Sequence, residues 1–165
     1  MDKKAKERVA IAKDAMAWAK LGALIPITMA YVNPIDGKIG NELRENTDYS
    51  KVQARDVVVG TCEVCALGGL LMAKAVRYDN VLASELLDTP HTKLSEHFSL
   101  DQLKLIEYAF EGWRDGGVRA DGNGMSYGQP HPWYHAFPDT MDRFLAIMQN
   151  IIRNKGEFVL TDLPA

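Results

Sequence analysis

The sequence predicts a mainly α-helical domain with a minor β component. About four main helices are expected to surround a central buried helix at residues 62–77, beside a small strand pair. The chain has 165 residues, enough for one domain of ordinary size. Its composition, 47% hydrophobic and 25% charged, allows a buried core and excludes a wholly disordered chain. Because apolar residues also recur at helical spacing in several segments, we expect residues 1–165 to form a single globular domain.

The first element is predicted to be a helix over residues 3–20. Ala5, Val9, Ala12 and Met16 recur at spacings of three and four residues and form one apolar stripe. Lysines and acids occupy the opposite side of the helix. This pattern is typical of a helix that packs on one side and is solvated on the other.

Two segments are predicted to be extended. Residues 25–32 are rich in branched and aromatic side chains and end at an Asn-Pro turn signal. Residues 157–163 have a similar composition, and we expect the two segments to pair. The polar residues 34–55 are predicted to be mostly loop.

The central helix is predicted to begin at Cys62, with Thr61 as its N-cap. It is apolar almost all round, which is typical of a helix in the interior of a domain. Cys62, Ala66 and Gly69 would give it a stripe of small side chains that allows a neighbouring element to approach closely.

Two further helices have clear start signals. Ser99 followed by Gln102 is a capping box, so a helix is expected to begin directly after Ser99. Asp139 is the predicted N-cap of the last helix, which should end at Gly156. Residues 79–111 carry seven acids against two lysines, and we interpret this excess as a solvated helix face.

A loop of 27 residues, 112–138, separates these two helices and holds six of the thirteen glycines. Loops of this length are usually functional or disordered, and the many aromatic rings disfavour disorder. Rings combined with arginine and histidine suit a planar or anionic ligand or a protein partner. An Ω-like loop that packs its rings over the core is an equally weighted alternative. The predicted ligand-binding residues are Trp113, Arg114, Arg119, Tyr127, His131, Trp133, Tyr134 and His135. For a binding loop, alanine at Trp133 and Tyr134 should abolish binding and leave stability unchanged.

The two cysteines leave several alternatives open. Cys62, Cys65, His131 and His135 form a C-x2-C…H-x3-H set that suits zinc. A cysteine beside a histidine also suits an enzyme nucleophile and its base, and Cys-x-x-Cys at a helix N-terminus suits redox chemistry. The remaining interpretation is a pair of buried thiols in the core. No phosphate-binding loop or hydrolase motif is present, so no catalytic residue, metal ligand or cofactor is assigned.

The net charge of −3 argues against a nucleic acid or a membrane as a partner. The sequence shows no signal peptide and no apolar stretch of spanning length, so we expect a cytoplasmic protein with reduced thiols. The expected partner is a host protein or a small-molecule ligand. Self-association into a homo-oligomer is the structural alternative.

The sequence CALGG at residues 65–69 opens the apolar central helix predicted above. It resembles the C-A-L-G-(A/G) helix signature of small bacterial and phage domain families without an established activity. The stretches FSLDQLKLIEYAFE and IMQNIIRNKGEF are similar to phage proteins of that group. The resemblance implies a phage or mobile-element origin, and hence the host cytoplasm, but no activity or catalytic residue. We therefore expect a non-enzymatic binding protein that engages its partner through the 112–138 loop.

Overall fold

The computed structural model describes residues 1–28, 31–34, 53, 61–78, 82, 85, 90–114, 118–119 and 132–164. This part of the chain is mainly helical, with a small three-stranded sheet and a two-stranded hairpin, which confirms the predicted fold class. The helices are α1 (Lys3–Lys20), α2 (Ala66–Tyr78), α3 (Pro90–Leu94), α4 (Leu100–Glu111), α5 (Pro132–Ala136) and α6 (Thr140–Arg153). The strands are β1 (Leu24–Pro26), β2 (Val32–Pro34), β3 (Cys62–Val64), β4 (Trp113–Arg114) and β5 (Val118–Arg119). Within the described residues, no helix is both long enough and apolar enough to cross a membrane.

Helix α1 forms as predicted and packs against α6 and α2. Its N-cap is Asp2, whose carboxylate accepts a hydrogen bond from the backbone amide of Ala5 at 2.6 Å. Ala5, Ala12 and Ala19 lie on its buried side, and their small side chains let the helix lie close to its neighbours.

The central helix begins at Ala66, four residues later than predicted. Thr61 is therefore not its N-cap, and Cys62 lies in β3 rather than on the helix. The strand forms because its backbone is paired on both sides, parallel to β1 and antiparallel to β2. The helix that does form, α2, is buried as expected, and all ten of its residues from 66 to 75 are buried.

The predicted pairing of residues 25–32 with 157–163 is wrong. The extended segment pairs with β3 instead, and the amide of Ile27 donates to the carbonyl of Val64 at 2.8 Å. Residues 157–163 form no strand, since side chains bind their backbone groups. Asn150 of α6 donates to the carbonyl of Val159 at 3.0 Å and accepts from its amide at 2.8 Å.

The glycines of α2 allow close contacts, as the small side chains predicted. A Cβ atom on Gly68 would collide with the carbonyl oxygen of Tyr31, and one on Gly69 would lie 2.6 Å from the ring of Phe144. The helix therefore touches the backbone before β2 on one side and α6 on the other. Cys62 does not belong to the stripe of small side chains on this helix, because it lies in β3.

The last two predicted helix starts are confirmed. Ser99 accepts from the amide of Gln102 at 3.2 Å, and Asp139 accepts from the amide of Asp142 at 2.9 Å. The predicted end at Gly156 is too late: α6 ends at Arg153 with Asn154 as its C-cap, and the left-handed residue that follows the cap is Lys155, with a φ of 57°. Of the predicted loop over residues 34–55, only residues 34 and 53 are described.

Candidate functional site

The two ends of the 112–138 loop are held by one side chain of α6, Arg143. Its Nε donates to the carbonyl of Phe110 at 2.7 Å, just before the loop begins. Its Nη1 donates to the carbonyls of Phe137 and Pro138 at 2.6 and 3.2 Å, where the loop ends. We call Phe110, Phe137, Pro138 and Arg143 the loop neck.

The Arg143 guanidinium is buried, with 1% of the residue exposed. Besides its three carbonyl acceptors it has two aromatic neighbours, with its Cζ 4.4 Å from the ring centre of Tyr134 and 5.2 Å from that of Phe110. Burial lowers the pKa of Arg143, although a guanidinium stays protonated in proteins. The charge is thus solvated by the protein itself.

Gly112 makes this packing feasible at the start of the loop. Its φ of 78° ends α4 in the left-handed conformation, and its amide donates to the carbonyl of Tyr108 at 3.0 Å. A Cβ atom at this position would lie 2.5 Å from the ring of Tyr134. Both the turn and the approach of α5 therefore require glycine.

Trp133, a predicted ligand-binding residue, is fully buried in the core. Its indole Nε1 donates to the carbonyl of Leu160 at 2.8 Å, and its ring centre lies 5.0 Å from that of Phe158. Tyr134 is half-buried against Arg143. Because both rings pack within the fold, the structure leads us to expect that alanine at Trp133 and Tyr134 lowers stability, while their effect on binding stays a prediction.

The remaining predicted site residues are placed differently. His135 is exposed on α5, a helix that the sequence analysis did not predict and that starts at Pro132, where proline is favoured. The backbones of Trp113 and Arg119 pair in the hairpin, as do those of Arg114 and Val118. The side chains of Trp113, Arg114 and Arg119 and the whole of Tyr127 and His131 lie outside the described residues.

Both cysteines are buried. Burial raises the pKa of Cys62 to about 11, and it raises the pKa of Cys65 well above its ordinary value. Both thiols are therefore protonated near neutral pH, which does not favour a nucleophile or a redox pair. The Sγ of Cys65 instead accepts from the amide of Gly68 at 3.4 Å, so Cys65 takes the N-cap position that was predicted for Thr61.

The predicted zinc set is only partly described. His131 lies outside the described residues, and His135 is exposed while both cysteines are buried. Among the residues that the structure describes, no three His, Cys, Asp or Glu side chains are grouped as metal ligands. Zinc binding stays one of the alternatives that the sequence leaves open.

A polar cluster that the sequence analysis missed joins Tyr31, His91 and Glu107. The Tyr31 hydroxyl donates to Glu107 Oε1 at 2.8 Å, and His91 Nε2 lies 3.1 Å from Oε2. Burial acts to raise the pKa of Glu107, but the hydrogen bonds from His91 and Tyr31 outweigh it and the pKa is lowered. Since the Glu107 side chain is only 20% exposed, the predicted solvated acidic face is wrong at this position. The one sequence signal is that Glu107 follows the buried Leu103 by one helical turn.

A second polar cluster surrounds Lys74, which is fully buried on α2. Its Nζ donates to Glu96 Oε2 at 2.6 Å and to the carbonyl of Lys93 at 2.8 Å. Nearby, the ring of His97 stacks on Tyr78 at 5.2 Å, and its buried Nδ1 lies 3.3 Å from Glu7 Oε2 without hydrogen-bond geometry. Both clusters connect neighbouring helices, α3 with α4 through His91 and Glu107 and α2 with α3 through Lys74.

Comparison with models of protein families, with curated proteins and with solved structures finds no match to this chain. The resemblance to phage and bacterial families accordingly stays a prediction.

Proposed function

We propose that this protein is a non-enzymatic binding protein that presents the 112–138 loop to a host protein or a small ligand. The observation that carries the proposal is the loop neck, in which the Arg143 side chain binds backbone carbonyls on both sides of the loop. A binding loop on a rigid scaffold is the common arrangement in recognition proteins. A phage or mobile-element origin, as the resemblance implies, would make the partner a host protein.

The neck supports binding for an energetic reason. Ordering a loop upon binding costs conformational entropy, and a loop whose ends are already fixed has less entropy to lose. The buried Trp133 fixes α5, and Gly112 fixes the start of the loop. These residues therefore position the loop, and contact with the partner falls to other residues.

The contact residues of the proposal are Arg114, Arg119, Tyr127, His131 and His135, five of the residues that the sequence predicts for the site. His135 is exposed on α5. Arg114, Arg119, Tyr127 and His131 bring cations, a ring and imidazole groups to the same loop, which suits an anionic or planar partner group.

The test compares three purified proteins: the natural chain, a loop variant and a control. The loop variant carries Arg119→Ala, Tyr127→Ala, His131→Ala and His135→Ala, and the control carries Lys104→Ala on the exposed side of α4. Native mass spectrometry of each protein from its host reports ligands that co-purify, and quantitative affinity capture from host extract reports protein partners. We expect one species to be retained by the natural chain and the control and lost by the loop variant.

Two results would overturn the proposal. One is that the natural chain retains no ligand or protein beyond those that an unrelated control protein retains in the same experiment. The other is that the loop variant retains the same species at the same occupancy. A zinc ion in the native spectrum that disappears with His131→Ala would favour the metal-binding alternative with Cys62 and Cys65.

A further inference from the structure

Four lysines of α1 form a row on the side of the helix that points away from the core, and the acids Glu7 and Asp14 lie at the edge of this row. Lys3, Lys6, Lys13 and Lys20 are all exposed, and the alanines buried against α2 and α6 lie on the opposite side. At 1.5 Å per residue the lysines form a row about 25 Å long, within about 100° of helix surface. We call these four residues the lysine row.

The acids of α1 do not neutralise this row. Asp14 accepts hydrogen bonds from Arg77 of α2 at 2.7 and 2.9 Å, and Glu7 lies 3.3 Å from His97. Both carboxylates are thus directed toward neighbouring elements. None of the four lysines forms an ion pair with a residue that the structure describes.

An exposed apolar side chain ends the row. Leu21 is the C-cap of α1 and 81% exposed, and by helical position it lies on the same side as Lys3. Ile25, which follows in β1, is 37% exposed. One exposed leucine is ordinary in a soluble protein, but here it adjoins a cationic face.

We propose that the lysine row docks this protein on an anionic lipid surface. The ammonium groups would meet phosphate and carboxylate headgroups, and Leu21 would enter the boundary of the acyl chains. The net charge of −3, which predicted no membrane partner, does not oppose this arrangement. Electrostatic fields are screened within about 8 Å at physiological salt. The charges that face the lipid, rather than the net charge of the protein, therefore determine whether the surface attracts it.

Lipid suits this face better than nucleic acid does. Single-stranded nucleic acids are bound by aromatic rings that stack on bases. The residues between the lysines on this face are the alanines Ala10 and Ala17. A straight row of charges on one helix also matches a flat surface. Burial of the exposed Leu21 side chain is favourable in the acyl chains of a lipid layer, whereas a nucleic acid backbone offers it no apolar surroundings.

The experiment is co-sedimentation of the full chain with phosphatidylcholine vesicles, with and without phosphatidylserine. We expect binding only to the phosphatidylserine vesicles, and release by high salt. Lys13→Glu should weaken this binding roughly tenfold or more. The matched control is Lys104→Glu, which makes the same charge change at an exposed position of α4 and should bind as the natural chain does.

Leu21→Ser distinguishes a lipid surface from a polyanion. It should weaken binding to the vesicles and leave binding to heparin or duplex DNA unchanged. The proposal is overturned if the natural chain does not bind the phosphatidylserine vesicles, or if Lys104→Glu weakens binding as much as Lys13→Glu. It is also overturned if the protein binds duplex DNA more tightly than the vesicles and Leu21→Ser changes neither the affinity for DNA nor the affinity for the vesicles. Unchanged far-UV circular dichroism confirms that each exposed substitution leaves the fold intact.

Discussion

Gln102 and Phe158 form two hydrogen bonds that resemble a rung of a β-sheet. The amide of Phe158 donates to Gln102 Oε1 at 2.6 Å, and Gln102 Nε2 donates to the carbonyl of Phe158 at 3.2 Å. A side chain of α4 thereby takes the place of the partner strand predicted for residues 157–163. The Gln102 side chain of the predicted capping box thus serves a tertiary contact, while its backbone amide keeps the bond to Ser99.

Replacing Gln102 by leucine should lower the free energy of unfolding by about 1–3 kcal/mol, because it leaves the buried backbone groups of Phe158 without partners. Urea denaturation measures the change. Lys104→Ala, which is exposed on the same helix, serves as the control and should have little effect. If Gln102→Leu is as stable as the natural chain, water replaces the side chain and the contact is dispensable.

Arg143→Lys should destabilise the fold by about 3 kcal/mol although it retains the positive charge. An ammonium group cannot reproduce the planar fork that binds carbonyls on both sides of the loop, and it loses the stacking on Tyr134. Limited proteolysis provides a second measurement, since cleavage between residues 112 and 138 should become faster. Arg153→Lys at the exposed end of α6 is the control, and an equal response of the two variants would contradict the proposed neck.

Gly68→Ala should destabilise the protein even though alanine favours a helix by about 1 kcal/mol over glycine. The new Cβ would collide with the backbone carbonyl of Tyr31, which cannot move without displacing β2, and overpacking of this kind costs about 1–3 kcal/mol. Thermal unfolding measures the difference. A gain in stability would show that β2 yields to the added methyl group.

Acidification should lower stability in two stages. Burial first, and the nearby Lys74 second, lower the pKa of His97 from 6.5, while Glu7 and Glu96 act in the opposite direction and Tyr78 stacks on the ring. The unfolded chain therefore binds the proton at a higher pH than the fold does, and stability falls as the pH drops below 6.5. Glu96 and Glu107 have lowered pKa values, so their contribution is present above 4.5 and lost below it.

Urea denaturation as a function of pH measures both stages. His97→Gln should remove the first stage and leave the second. If the variant still loses stability to the full extent as the pH first drops below 6.5, this stage belongs to another group.

The starts of α4 and α6 could be predicted because their signals are local. Asp139 and Asp142 are three residues apart, as are Ser99 and Gln102, so the sequence itself displays each cap. Strand β3 could not be predicted in this way. It has three residues, and its pairing with β1 brings Cys62 opposite Leu24 from a distant part of the chain.

The polar clusters were unpredictable for the same reason. Tyr31 and Glu107 are 76 positions apart, and nothing near either residue indicates the other. The composition of the 112–138 loop did indicate a special segment. It could not separate rings that pack inward, such as Trp133, from side chains that remain exposed, such as His135, because that division depends on the position of α6.

Trp133→Ala should lower the free energy of unfolding by about 3–5 kcal/mol, while His135→Ala should change it by less than about 0.5 kcal/mol. The first substitution removes a fully buried ring and its hydrogen bond to the Leu160 carbonyl, and the second removes an exposed imidazole two residues away. Trp133→Phe keeps a ring but not the indole donor, so it should fall between the two. Urea denaturation gives the three values. If His135→Ala were the most destabilising, His135 rather than Trp133 would hold α5 in place, and the division between positioning and contact residues would be reversed.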